Sequence, residues 1–286
     1  MKKTVYFITF VLLAAFAGMV YYGARHWRGM PVQIEKFETP ALNVAFMDKD
    51  IDLAQGLAPE VWQEIKPQEI KLMYQVTALP WPKIKGLLSA VTVKAFHSKE
   101  NIYFYMSWPD DTEDRIHETT QFSDACAIMF PLEEKAQPHT IMMGFLGKVN
   151  IWQWKANQDR EYWKNESEEP HAYVDFYYPF EDKELFPVSK HITKSPVNDL
   201  VAIRVGTITP KDNQEVMGKG VWENGVWTVV LKRPLKAVDS DNGISFASRK
   251  RLSALAIWDG SKGDRGGRKS ISDWLELDIK SDMSKL

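Results

Sequence analysis

Short runs in which apolar and polar residues alternate recur along most of the chain. Val91–Ala95 and Trp274–Lys280 alternate with the period of two expected of half-buried strands. Asn101–Trp108 is a third run of this type, and Asn224–Gly225 between two such runs predicts a tight hairpin. Roughly ten to twelve strand candidates at this spacing, with few helical patterns, predict an all-β fold, an antiparallel β-sandwich with long loops.

The first 30 residues have a different pattern. Two lysines precede an apolar run, Val5–Tyr22, which is just long enough to cross a bilayer as a hydrophobic helix. Ala15–Ala17 supplies an Ala-x-Ala cleavage signature, whereas Arg25 and Arg28 follow closely and favour retention. Residues 1–30 are therefore interpreted as a signal peptide or a membrane anchor, and both alternatives place the remaining chain in the periplasm or another extracytoplasmic space.

Residues 31–66 have weak periodicity and are expected to form a linker with extended pieces. Glu60–Lys66 favours a short turn of helix before a proline. The sandwich domain is then predicted to span residues 67–286, with a long surface excursion at Glu161–Leu200, where the sequence is polar, aromatic and irregular.

Composition narrows the possible functions. The 286-residue chain is 44% hydrophobic and has a net charge of −2, so it lacks the positive charge of nucleic-acid-binding proteins. Cys126 is the single cysteine and lies in a strand-like run, where a buried thiol is expected. One cysteine forms neither an internal disulfide nor a covalent haem-attachment motif.

Two segments carry candidate redox chemistry. Ile141–Lys155 (IMMGFLGKVNIWQWK) places a methionine pair before glycines and a tryptophan-rich strand, and Ser253–Ile279 (SALAIWDGSKGDRGGRKSISDWLELDI) places Lys269 in a loop rich in glycine and arginine. A thioether and a neutral amine can both bind iron. Two such loops facing each other would make a haem pocket.

These two segments, together with Val91–Thr112 and Phe122–Pro131, resemble the haem-binding γ subunits of ethylbenzene dehydrogenase and its relatives. The relatives include the γ subunits of dimethylsulfide dehydrogenase, of selenate and chlorate reductases, and of nitrite oxidoreductase-type enzymes. The resemblance covers residues 61–279. It implies a non-catalytic subunit that binds haem b and transfers electrons within a periplasmic molybdenum oxidoreductase complex. The implied partners are a molybdopterin catalytic subunit, an iron–sulfur subunit, and a soluble or membrane-bound redox partner.

The resemblance also implies the iron ligands. Met143 is assigned as one ligand, with Met142 in reserve, because the ligand methionine of the relatives stands beside the glycine. Lys269 is assigned as the other ligand, with Lys155 in reserve and Lys262 as a weaker alternative. A lysine binds iron only as the neutral amine, which burial favours.

Further residues are expected around the haem. Trp152 and Trp154 are candidates to stack on the porphyrin, and Arg265 and Arg268 are candidates to contact the propionates through charge-assisted hydrogen bonds. His139 is an alternative ligand, although a histidine after a proline is more typical of a turn.

Two alternatives remain open from the residues alone. A carbohydrate-binding β-sandwich module without haem would use Trp152, Trp154 and Trp163 as a sugar-stacking platform, and an independent cytochrome would lack the molybdenum partners. Separately, an acidic cluster after Trp108 is expected to be a solvated turn or a structural calcium site; it comprises Asp110, Asp111, Glu113 and Asp114.

Overall fold

The computed structural model divides into two compact units, Met1–Glu38 and Thr39–Leu286. The structure describes residues 16, 18–19, 21–22, 39–75, 88–118, 120–133, 147–164, 195–204 and 206–280. The described residues of the first unit are helical and exposed. Among all described helices, none has the length and apolar character needed to cross a membrane. The N-terminal hydrophobic helix therefore stays a prediction.

The second unit is built mainly from strands. Within its described residues the elements are β1 (Ala41–Phe46), α1 (Pro59–Gln63), β2 (Gln68–Lys71), β3 (Met73–Tyr74), β4 (Ala90–His97), β5 (Asn101–Pro109), β6 (Ala125–Pro131), β7 (Val149–Lys155), α2 (Ala156–Lys164), β8 (Val197–Ala202), β9 (Thr209–Pro210), β10 (Met217–Glu223), β11 (Val226–Pro234), β12 (Lys250–Trp258), a 3₁₀ helix (Gly260–Lys262), β13 (Ser270–Ile271) and β14 (Leu275–Ile279).

One continuous sheet folds over to make two layers. Its order is β10-β11-β5-β4-β1-β14-β12-β6-β7-β8-β9, with β2 beside β4, β13 beside β12 and β3 beside β13. The strand β12 belongs to both layers, because Lys250–Ser253 pairs with β14 and Ala254–Trp258 pairs with β6. The first layer runs from β10 to β14 and the second from β6 to β9. The prediction of a β-sandwich agrees with this arrangement.

The sheet is mixed rather than antiparallel. The strand β1 is parallel to both of its neighbours, with Leu42 beside Leu277 of β14 and Val44 beside Ala95 of β4. Because Leu42 and Val44 are fully buried, β1 supplies core side chains from the middle of the first layer. The expectation of a purely antiparallel sheet was wrong, and the folded domain includes part of the segment expected to be a lead-in at residues 31–66.

Large aromatic side chains fill the space between the layers. The Trp227 ring of the first layer lies with its centre 5.1 Å from that of Trp154 of the second, and Phe104 lies 5.9 Å from Trp152. All four side chains are fully enclosed. Burial of such large apolar surfaces is the main stabilising contribution in a sandwich of this size.

Several local predictions are confirmed. The β10–β11 hairpin has positive φ angles at Asn224 (52°) and Gly225 (77°), the conformation that its turn requires. The helix α1 occupies Pro59–Gln63, and Cys126 is buried. Most of the surface excursion expected at Glu161–Leu200 lies outside the described residues.

Candidate functional site

A row of side chains crosses the outer face of the second layer. Trp258 of β12 is opposite Ala125 of β6, and Ala125 is opposite Lys155 of β7. Lys269 lies one residue before β13, in line with Trp258, because Ser270 pairs with Ile257 in that ladder. The pairing therefore brings Lys269 and Lys155, which are distant in sequence, into one row.

Small side chains form a shelf between the ends of this row. Ala125 and Ala127 are buried with Trp258 in a cluster separate from the main core, and Ala256 and Ile151 pack against it. A cavity of about 270 Å³ opens beside this shelf, a size near the lower end for ligand sites. Its lining comprises His117, Phe122, Ser123, Ala125, Gln153, Lys155, Trp258, Asp264, Arg265 and Gly266.

Lys269 has the electrostatic environment of a lysine that loses its proton easily. Its Nζ lies 4.8 Å from the centre of the Trp258 ring. Within the described part of the chain, this ammonium group forms no hydrogen bond or ion pair. Burial without compensation lowers the pKa of Lys269 to about 8. The neutral amine needed for iron ligation is thus more accessible here than on an exposed lysine.

Lys262, the weaker alternative, has the opposite environment. Its ammonium group forms an ion pair with Asp259 at the start of the same loop. Burial acts to lower the pKa of Lys262, but the hydrogen bond and charge of Asp259 outweigh it and raise the pKa. The structure therefore keeps Lys262 protonated, which argues against a role as an iron ligand.

The two tryptophans expected to stack on the porphyrin do not reach this face. Trp152 and Trp154 are fully buried between the layers, where their indole N–H groups donate to Asn150 and Asp159, respectively. Successive strand residues point to opposite faces, so Lys155 is on the outer face instead. The expectation for Trp152 and Trp154 was wrong, because the alternation of β7 does not itself reveal which face is the core.

The two loop arginines differ in position. The Arg265 guanidinium lies 4.6 Å from the centre of the Phe122 ring, lines the cavity and donates to the Gly263 carbonyl. Arg268 is half-buried, and its backbone exchanges two hydrogen bonds with that of Arg265, at 3.0 and 2.8 Å. The structure thus brings Arg265 to the cavity beside Lys155, while contact of either arginine with a propionate stays a prediction.

Met142, Met143 and His139 lie outside the described residues. They belong to the connection between β6 and β7, the two strands that contribute Ala125 and Lys155 to the shelf. Their assignment as ligands stays a prediction.

Sequence reasoning missed two carboxylates beside the loop that carries Lys269. Asp124 precedes β6 and Asp259 follows β12, and both approach Asp110 after β5, with one carboxylate oxygen of each within 4.8 Å of the others. All three are buried, so the expectation of a solvated turn was wrong for Asp110. Each aspartate stands next to one end of a strand in the sequence. Nothing in the sequence indicates that these three strand ends lie close together in the fold.

The sequence of the chain is similar to those of known proteins. A sequence model described as ethylbenzene dehydrogenase matches residues 59–270, which is most of the chain. The chain belongs to the ethylbenzene dehydrogenase family.

Individual members of this family carry the names of γ or haem subunits. A protein of Haloferax mediterranei, named as a respiratory nitrate reductase heme subunit, is 28% identical over 79% of this chain and 68% of its own length. The chlorate reductase subunit gamma of Ideonella dechloratans is 24% identical over 76% of each chain. The dimethylsulfide dehydrogenase subunit gamma of Rhodovulum sulfidophilum is 25% identical over 65% of this chain and 58% of its own length. The predicted resemblance to non-catalytic γ subunits is confirmed.

Solved structures of carbohydrate-binding proteins also align with this family member. A family 9 carbohydrate-binding module from Caldicellulosiruptor kristjanssonii, in complex with cellotriose, has a TM-score of 0.43 at 10% identity, covering 85% of this chain and 95% of that one. A carbohydrate-binding protein from Bacteroides uniformis has a TM-score of 0.41 at 7% identity, covering 86% and 94%.

Proposed function

We propose that this chain is a haem b-binding electron-transfer γ subunit of a periplasmic molybdopterin oxidoreductase complex. The family assignment supports a γ-type subunit, and the environment of Lys269 supports the haem. The single observation that carries the proposal is a half-buried lysine with a lowered pKa, without a hydrogen-bonding partner among the described residues, at the edge of an apolar shelf.

The residues on this face fit a haem. Ala125, Ala127 and Ala256 present small apolar side chains next to the cavity, and Trp258 adds an apolar wall beside Lys269. An apolar, water-poor surface suits a porphyrin and disfavours the charged form of the lysine.

The roles of the residues follow from this placement. When bound, haem supplies a one-electron couple to the subunit. Lys269 would ligate iron through its neutral amine, Met143 would ligate it through its thioether sulfur, and Arg265 would pair with a propionate. A haem held by two protein side chains would serve electron transfer rather than substrate binding.

We further propose that the subunit exchanges electrons with an iron–sulfur subunit and an external redox partner, outside the cytoplasm. The names of the relatives, which include reductase and dehydrogenase γ subunits, support assembly with a catalytic subunit. The segment Val5–Tyr22 would serve as an anchor or as a cleaved signal. N-terminal sequencing of the mature protein separates these outcomes, since a start at Gly18 would contradict the anchor.

The carbohydrate-binding alternative has lost its structural basis. Trp152 and Trp154 are enclosed in the core. Trp163 lies on α2, and its indole N–H donates a hydrogen bond to the Gly218 carbonyl. The Lys219 ammonium group lies over its ring. The three tryptophans therefore do not form a shared exposed platform for a sugar.

Spectroscopy of the purified full chain tests the proposal. We expect a Soret band of a low-spin haem that is released by acid and organic solvent, as non-covalent binding requires. Lys269→Met should alter the low-spin spectrum, whereas Lys236→Met, a change at an exposed lysine, should leave it unchanged. A colourless protein that fails to bind added haem would contradict the proposal.

A further inference from the structure

Three chain segments from both layers converge on one buried group of carboxylates. Asp110 follows β5, Asp124 precedes β6, and Asp259 follows β12, and one oxygen from each lies within 4.8 Å of the others. Their residue exposures are 3%, 0% and 6%. Three carboxylates that exclude water at this separation repel one another unless a proton or a cation lies between them.

Two of these carboxylates are held in place by the fold. Asp124 accepts hydrogen bonds from the backbone N–H groups of Gly260 and Asp114, both at 2.8 Å, and from the Trp227 indole at 2.9 Å. Asp259 accepts from the Lys262 backbone N–H at 3.1 Å and from the Ser261 hydroxyl at 2.7 Å. Both donor sets would persist without any ligand.

Asp110 is positioned but not satisfied. Its backbone N–H donates to the Gly225 carbonyl at 2.9 Å, and its Oδ1 accepts from the Thr112 N–H at 3.2 Å. Its Oδ2 is buried and has no hydrogen-bond partner among the residues that the structure describes. A buried carboxylate oxygen without a donor costs considerable free energy, so this atom indicates a missing partner that is positively charged or carries a proton.

The charge balance shows the same deficit. Lys262, which pairs with Asp259, is the ammonium group described in contact with this cluster. When all three carboxylates are ionised, they and the single ammonium leave two uncompensated negative charges, which one divalent cation neutralises in place of bound protons.

We propose that Asp110, Asp124 and Asp259 form a structural site for a hard divalent cation of the calcium class. Carboxylate oxygens are the preferred ligands of Ca²⁺, at 2.3–2.6 Å, so two oxygens on the same ion can lie up to about 5 Å apart. The observed separation satisfies this limit. Lys262, with part of its side chain exposed, has room to turn outward when the cation binds.

The cation would fasten the loop that carries Lys269 to the rest of the sandwich. Asp259 begins this loop, and the Gly260 N–H already donates to Asp124 between the neighbouring ends of β12 and β6. An ion at this position ties the end of β12 to the ends of β5 and β6. The site depends on these aspartates alone and does not require the proposed haem function.

Calcium titration of the full chain after treatment with a chelator tests this site. We expect saturable heat in isothermal titration calorimetry and a higher melting temperature with Ca²⁺ than with EDTA. Asp110→Asn should weaken Ca²⁺ binding at least tenfold, since it removes a ligand charge while keeping the shape. Asp111→Asn, an identical change at the exposed neighbouring residue, should bind Ca²⁺ like the parent.

Lys262 distinguishes a cation site from a purely internal ion pair. Lys262→Met should tighten Ca²⁺ binding, because a competing positive charge is removed. If the lysine is the only counterion, the parent chain will show neither saturable heat nor a chelator-dependent melting temperature, and that result overturns the proposal. Equal Ca²⁺ affinity in Asp110→Asn and Asp111→Asn would also overturn it.

Discussion

The Lys269 amine lies 4.8 Å from the centre of the Trp258 ring, in a contact that connects an apolar shelf with a basic loop. The ring gives the ammonium group a weak cation–π interaction but no proton acceptor. A lysine so placed is stabilised less than one in an ion pair, and burial lowers its pKa to about 8. The same ring therefore shields the amine from water and leaves its lone pair available to a metal.

We expect Lys269→Arg to disturb the haem as strongly as Lys269→Ala. The guanidinium keeps the positive charge but stays protonated, so it cannot replace a neutral amine on iron. The measurement is the optical and electron paramagnetic resonance spectrum of the oxidised protein, with Lys236→Arg as a surface control. A normal low-spin spectrum in Lys269→Arg would show that only the positive charge of Lys269 matters. Lys155 would then become the candidate iron ligand.

Replacement of Met143 by Ala should remove the thioether proposed as a soft iron ligand. We expect a high-spin component or loss of haem, and a lower reduction potential if a water or nitrogen ligand substitutes for the thioether. Met142→Ala is the matched control, because it removes the same thioether at the reserve position. If Met142→Ala alone changes the spectrum and potential, the assignment moves to Met142.

The sequence was informative where local chemistry decides the structure. Alternation at Val91–Ala95 identified β4, and Asn224–Gly225 identified a hairpin that needs positive φ angles. Lys269 could be proposed as a ligand from the family resemblance, and its environment in the structure supports that choice. These features depend on neighbouring residues in the chain or on similarity to relatives.

Long-range packing was harder to predict. Alternation in β7 shows two faces but does not say which faces the core, so Trp152 and Trp154 were placed on the wrong side. The convergence of Asp110, Asp124 and Asp259 depends on strand order, because β12 is far along the chain from β5 and β6 and lies beside β6 only in the folded sheet. The parallel position of β1 likewise depends on β4 and β14, whose order alternation alone does not specify.

A methyl group at Gly220 should destabilise the core. An ideal Cβ there would lie 2.1 Å from the Cζ2 atom of Trp154, far inside van der Waals contact. Trp154 cannot move aside easily, because its indole N–H and the Gly220 N–H both donate to Asp159, at 2.8 and 2.9 Å. We expect Gly220→Ala to lower the free energy of unfolding by about 1–3 kcal/mol in urea denaturation.

The neighbouring Val221 supplies the control for this change. Its side chain is 38% exposed, so Val221→Ala should change the free energy of unfolding by less than about 0.5 kcal/mol. Similar free energies of unfolding for Gly220→Ala and Val221→Ala would contradict this prediction. They would mean that the Trp154 ring can move away from residue 220 despite its hydrogen bond to Asp159.

Without divalent cations, the stability of the protein should fall as the pH rises from about 4 to about 8. Burial and the Asp110 charge raise the pKa of Asp124 to about 8 in the folded protein, whereas an unfolded aspartate has a pKa of about 3.9. In this window the folded state binds more protons than the unfolded state, so the free energy of unfolding decreases by up to about 1.4 kcal/mol per pH unit for this group. Asp110 acts in the same direction, because burial and the Asp259 charge raise its pKa to about 6.

Urea denaturation in EDTA at several pH values measures this slope. Asp110→Asn should make it shallower, because the change removes both one titrating group and the charge that raises the pKa of Asp124. Asp111→Asn should leave the slope unchanged, since Asp111 is exposed. Saturating Ca²⁺ should also flatten the slope, because a bound cation replaces the shared proton and keeps the carboxylates ionised across the range. A slope that is the same in EDTA and Ca²⁺, and unaffected by Asp110→Asn, would show that these buried aspartates share neither a proton nor a cation.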